Sequence, residues 1–216
     1  MKRRSLSMLF GMLLLSLTLV GCSSGPQLPD GDVKVVKQDV SGVINLLLES
    51  ADYGSKSTTV ASMLLPKDAA YNVNVVLETY EGEEMLESQE LVAYQTQTIT
   101  KESITHIIMN AGSGEVPSIF SISEIDEEKT EDPKLPEFKM TKTYLPALDY
   151  DLKVDLEAVG TDLNTDVVLA GYVKFKADDT EKAPIDLLTY KEDVKNYEKA
   201  YILKANVSPV KTEAAE

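Results

Sequence analysis

The chain holds one cysteine, one histidine and no tryptophan in 216 residues. The lone cysteine, Cys22, has no partner for an intramolecular disulfide, so stability must come from core packing. A single histidine, His106, falls short of the ligand sets of zinc sites and leaves a serine nucleophile with one imidazole as candidate base. Arginine occurs only at Arg3 and Arg4. Every later basic residue is lysine, which removes bidentate guanidinium clamps on carboxylate or phosphate. Basic residues are outnumbered 36 to 21, giving a net charge of −15. Such a chain repels nucleic acid and anionic lipid, and no nucleic-acid partner is expected. The sequence also has neither a phosphate-cradling glycine loop nor a Gly-x-Ser-x-Gly elbow. These absences argue against an enzyme, and no catalytic residue is assigned.

The N-terminus is distinctive. Lys2, Arg3 and Arg4 precede a short apolar run, Ser7 to Val20, which includes Leu13, Leu14, Leu15, Leu17 and Leu19. A basic start, a short apolar stretch and a small-residue exit make a secretory signal, and the run is short for a transmembrane helix, which needs about 20 apolar residues. The exit, Leu19-Val20-Gly21-Cys22, resembles the lipobox of bacterial lipoproteins. That resemblance covers residues 1–22 alone. It implies removal of residues 1–21, acylation of the Cys22 thiol (diacylglycerol, with palmitate-type chains) and an extracytoplasmic, lipid-anchored protein. With Ser23 following the cysteine, it implies the outer membrane in a Gram-negative cell and the cell membrane in a Gram-positive one. Removal of the signal leaves 195 residues and shifts the net charge to −18, because its three charges are all basic.

Residues 22–32, rich in Ser, Gly and Pro, read as a lipidated tether, and residues 208–216 as a flexible tail. Between them, period-two alternation dominates. Tyr71, Val73, Val75 and Leu77 alternate with polar residues, with Val76 breaking the polar row. Tyr150, Leu152, Val154, Leu156 and Ala158 alternate with Asp151, Lys153, Asp155 and Glu157. This is the pattern of half-buried strands. Further strand candidates are Val33–Lys37, Val43–Leu48, Thr58–Leu65, Leu91–Thr100, Ile104–Met109, Ile119–Ile125, Val167–Lys176 and Tyr201–Val207. One stripe dissents: Leu187, Tyr190, Val194, Tyr197 and Tyr201 recur at three- and four-residue spacing, which predicts a short helix near 186–199.

The chain also echoes itself. Leu65-Pro66 followed by Tyr71-Asn-Val73-Asn-Val75 resembles Leu145-Pro146 followed by Tyr150-Asp-Leu152-Lys-Val154, and Leu91-Val-Ala-Tyr94 resembles Leu169-Ala-Gly-Tyr172. A tandem duplication accounts for this offset of about 80 residues, although β-rich sequences also look alike by chance. The fold class predicted is therefore all-β, with two tandem small β-sandwiches of Ig-like kind. Residues 33–125 form the first, residues 126–136 an acidic linker and residues 137–207 the second.

Asp162, Asn164 and Asp166 place oxygen ligands at alternate positions, as calcium-binding loops do. The pattern departs from an EF-hand at Val167, where glycine is needed, and at Val173, where the closing carboxylate belongs. A solvated hairpin turn explains the same residues. Calcium is the one cofactor this leaves open. His106 sits in an alternating run and reads as a packed or surface strand residue. The ten tyrosines read mainly as core. The function expected is a membrane-anchored envelope lipoprotein that binds or scaffolds another envelope protein. A surface-fibre subunit and a calcium-modulated domain are the alternatives, and a hydrolase ranks last.

Overall fold

The computed structural model describes residues 28–99, 104–125 and 138–210. Cys22, the signal, the proposed linker 126–136 and most of the tail lie outside these residues. The described chain runs β1 (Val33–Lys37), α1 (Gly42–Glu49), β2 (Thr58–Leu64), β3 (Tyr71–Glu81), β4 (Glu84–Gln95), β5 (Ile104–Asn110), β6 (Ser118–Ile125), β7 (Phe138–Leu145), β8 (Leu152–Asp155), β9 (Ala158–Thr161), β10 (Asp166–Lys174), α2 (Tyr190–Asp193) and β11 (Lys199–Pro209). Two antiparallel sheets result. The first has the order β7-β6-β5-β2-β1-β9, the second β4-β3-β11-β10-β8. The architecture is a mostly-β sandwich, as the alternation indicated.

The described residues show no tandem pair of sandwiches. Strands from both sides of 126–136 share each sheet. β1 pairs with β9, Val35 opposite Val159. β3 pairs with β11 over ten residues, from Tyr80–Ala200 to Tyr71–Pro209. One apolar cluster accordingly joins Val33, Met63, Val75, Ile107 and Phe120 to Leu169, Tyr172, Leu203 and Val207. The echoed segments do correspond locally: Tyr71–Val75 pairs with Leu91–Tyr94 as β3–β4, and Leu152–Val154 pairs with Leu169–Tyr172 as β8–β10, both antiparallel and both in the second sheet. They lie in one sheet rather than in two separate sandwiches.

A polar bracket fastens the sheets to each other. Thr59 on β2 lies 2.9 Å from the hydroxyl of fully buried Tyr172 on β10. The Thr59 hydroxyl donates to Asp155 Oδ1, and Lys153 Nζ reaches both Asp155 Oδ2, at 2.7 Å, and the Thr58 carbonyl. Burial pulls the Lys153 ammonium below its ordinary pKa, partly offset by Asp155. Isolated charges would be costly here, and the mutual contacts compensate them.

Three local expectations are corrected. Val43–Leu48 is not a strand but the body of α1. A short apolar run broken only by Asn45 is too brief to show a period that separates strand from helix, and the Leu46-Leu47-Leu48 run favours helix. The helix expected near 186–199 shrinks to α2 and a 3-10 turn, Val194–Asn196. Tyr201, which completed the stripe, belongs instead to β11. The continuous alternation of Tyr150–Ala158 also divides: β8 lies in the second sheet and β9 in the first.

The end of the tether is held in place. Gly31 and Gly160 cross so closely that a Cβ added at Gly160 would sit 1.6 Å from the Asp30 carbonyl oxygen. Gly160→Val must push residues 30–31 off β9. We expect a loss of about 1–3 kcal/mol, typical of overpacking, and faster amide exchange in β1 and β9. Unchanged exchange in both strands would show that the crossing is not tight.

Candidate functional site

The site lies on the outer face of the second sheet, where β3 and β11 run side by side. The alternation of β3 sends Tyr71, Val73, Val75 and Leu77 into the core, and so Asn72, Asn74, Val76, Glu78 and Tyr80 to the outer face. β11 likewise turns Ala200, Ile202, Lys204, Asn206 and Ser208 outward. Half of this face is covered. Residues 175–198 leave β10 and fold back as a strap, packing Phe175, Ile185, Leu187, Tyr190, Val194 and Tyr197 on Tyr80, Val173, Ala200 and Ile202. Gly171 makes room for it, since a Cβ there would come within 2.9 Å of Ile185 and 3.0 Å of Leu187.

The other half of the face is an open groove of about 750 Å³. Asn72, Asn74, Asn206, Ser208, Gln95 and Ser88 supply its amides and hydroxyls. At the boundary between strap and groove runs a chain of polar contacts. Tyr80 donates its hydroxyl to Glu78 Oε2 at 2.8 Å, and Tyr190 of the strap donates to the same oxygen at 3.2 Å. Lys204 Nζ lies 2.6 Å from Glu78 Oε1 and 2.9 Å from Asp166 Oδ2. Asn206 Nδ2 donates to Asp166 Oδ1 at 2.8 Å.

The electrostatics follow from these contacts. For Lys204, burial disfavours the ammonium, but the hydrogen bonds to Glu78 and Asp166 outweigh it and hold the pKa above lysine's ordinary value. For Asp166, burial favours the neutral acid, but the hydrogen bonds from Lys204 and Asn206 prevail and hold it below its ordinary value. Burial, followed by the Glu78 carboxylate, raises the pKa of Tyr80 and of Tyr190. The network thus sets one ammonium between two carboxylates. One group is left over. Asn74 Oδ1 is enclosed and accepts no hydrogen bond from any described residue. A buried acceptor without a donor costs about 1–3 kcal/mol.

The structure places Asp162 and Asn164 in the connection from β9 to β10 and Asp166 at the first position of β10. Asp162 and Asn164 are exposed, and the backbone N–H of Asn164 donates to the Val207 carbonyl at 2.7 Å. Asp166 directs both oxygens to Lys204 and Asn206. Among the described residues no group of three or more His, Cys, Asp or Glu side chains could hold a metal. The connection is also not a hairpin, since β9 and β10 lie in different sheets. His106 meets Ser62 across the β2–β5 ladder, Nδ1 to Oγ at 2.9 Å. They form a cross-strand polar pair. Six tyrosines, at 71, 80, 172, 190, 197 and 201, are buried.

Sequence reasoning missed Asn72, Asn74, Glu78, Lys204 and Asn206. Two signals for them were present. Asparagine is depleted in strands, yet three asparagines occupy outward positions of β3 and β11. Val76, the break in the polar row, lines the groove. Comparisons with protein-family models, curated proteins and solved structures return no match to this chain.

Proposed function

We propose that the chain is a lipid-anchored, extracytoplasmic binding module of the bacterial envelope, and that its outer-face groove holds a polar, donor-rich segment of another envelope protein. The anchor is the acyl group on Cys22, as the lipobox resemblance implies. Each buried methylene contributes about 0.8 kcal/mol, so two or three chains hold a protein durably on a bilayer. The observation that carries the binding role is an open groove of about 750 Å³ lined by the amides of Asn72, Asn74, Gln95 and Asn206. Such a lining favours ligands rich in hydrogen-bond donors and disfavours anions, because the Glu78–Lys204–Asp166 set carries two carboxylates against one ammonium.

The test is capture from intact cells. The native lipoprotein is cross-linked in place, purified through a C-terminal tag, and its companions are identified. A near-stoichiometric envelope protein is expected. Asn74→Leu with Asn206→Leu should reduce its recovery by at least about tenfold, equivalent to 1.4 kcal/mol. Equal recovery with the double variant, or a partner-free preparation from the native protein, refutes the reading.

A further inference from the structure

α1 is oriented opposite to an ordinary surface helix. Val43, Ile44, Leu46 and Leu47 are 72%, 59%, 64% and 65% exposed, and the helix has no buried residue. Its half-buried Asn45 is turned toward the loop that follows the helix. Asn45 Nδ2 donates to Glu49 Oε1 at 2.8 Å, and Asn45 Oδ1 accepts from the Ser55 N–H at 2.7 Å. With 100° between successive residues, Asn45 and Glu49 occupy one narrow arc, and Val43, Ile44, Leu46, Leu47 and Leu48 the rest. The loop after the helix is itself fixed, since the Tyr53 hydroxyl donates to the Pro117 carbonyl at 2.6 Å. The fold therefore pins the polar arc down and presents an aliphatic arc outward.

We propose that this aliphatic arc of α1 enters the bilayer that carries the Cys22 anchor, an inference that rests on the lipoprotein reading. Three observations favour lipid over a protein partner. Cys22 lies eight residues before Asp30, which is held against β9, a contour of up to about 28 Å, while the chain from Asp30 through β1 to Lys37 spans about 23 Å. The free tether is thus longer than the span from its fixed end to the approach of α1. The arc is purely aliphatic, whereas cores of protein interfaces favour aromatics, methionine and arginine. Its helix is about 12 Å long, suited to lying 5–10 Å deep in the headgroup boundary. The surroundings carry Asp39, Glu49 and Asp52 against Lys56, so the matching surface is zwitterionic rather than anionic lipid.

The absence of tryptophan makes a clean test. Leu47→Trp, and separately Val43→Trp, are introduced into the full acylated protein, with Leu188→Trp, 82% exposed on the strap, as control. Each protein is reconstituted in phosphatidylcholine vesicles with or without bromine on the acyl chains. The indoles at 47 and 43 should shift to the blue and lose at least about half their emission to bromine, and the indole at 188 should not. Protein that floats with the vesicles while the indoles at 47 and 43 stay unquenched overturns α1 docking and leaves the anchor intact. Protein that fails to float lacks the anchor, and with it the basis of the inference. Shielding that rises with protein concentration and ignores bromine assigns the arc to a second copy of the chain, which also overturns it.

Discussion

A fragment comprising residues 33–125 should not fold. The self-similar sequence predicts that it is a domain, but the strand pairing says otherwise. Without the rest of the chain, β1 loses β9, β6 loses β7 and β3 loses β11. What remains is a four-strand piece and a two-strand hairpin, with their shared core opened. The missing part supplies Leu145, Leu148, Val167, Leu169, Tyr172, Leu203 and Val207 to the common cluster. Each such large side chain contributes about 1.5–3 kcal/mol on burial, so their combined loss matches or exceeds the 5–15 kcal/mol stability of a typical domain. Long, hydrophobic β3 would also present an open edge, which favours aggregation. The expected amide spectrum is collapsed, with no cooperative melt. Mixing with residues 138–210 should restore dispersion if the two pieces reassemble. A folded, monomeric 33–125 would contradict the shared-sheet architecture.

The second large effect is expected from Lys204→Met. Its ammonium joins Glu78 to Asp166, and the side chains of Lys204 and Glu78 are 8% and 10% exposed. Removing the lysine leaves the Glu78 carboxylate under the strap with only Tyr80 and Tyr190 as donors. Breaking a buried pair in this way costs about 3–5 kcal/mol, a fall in Tm of about 6–20 °C for a chain of this size. Lys204→Met combined with Glu78→Leu should recover most of it, because an apolar replacement of a whole buried pair is often close to neutral. Asp166 does not reverse this, since its side chain is 54% exposed and stays hydrated. The pH dependence has two limbs. Asp166 is depressed from 3.8, so its contribution is present above that value and lost as pH falls through the lower folded pKa. Lys204 is raised from 10.5, so its contribution is complete below that value and lost as pH rises through the higher folded pKa. The stability gap between wild type and Lys204→Met should therefore be flat from about pH 5 to 9 and narrow beyond either end. A Tm change of less than about 2 °C for the single variant would show that the network does not hold the strap.

Much of the strand content is visible in the sequence because a two-sided sheet imposes period two on each strand. Tyr71 to Leu77 and Tyr201 to Val207 display it plainly, and both form strands where expected. Alternation says which face a side chain takes but not which sheet the strand joins. For that reason Tyr150–Ala158 read as one strand although the chain crosses between sheets near Leu156. The same limit makes the internal echo look like two domains: similar alternation arises wherever one face is buried. α1 was illegible for another reason, since aliphatic residues that point away from the protein follow no packing period. The groove was hidden because its burial is non-local. Glu78 and Lys204 look like ordinary outward strand residues. They are enclosed only because the strap, rooted at Phe175 and Tyr197, folds over the sheet and brings Tyr190 to Glu78.

The binding role of the groove is the central claim, and site-specific photocross-linking in intact cells tests it most directly. A photoreactive side chain replaces Ser208, which lines the groove, and in a second protein Lys56, which lies beyond α1 on the β2 approach. The account predicts one discrete adduct with an envelope protein from position 208, weakened by Asn74→Leu, and none of that mass from position 56. The same adduct from both positions, or none from position 208 while the protein is folded and membrane-associated, would contradict it.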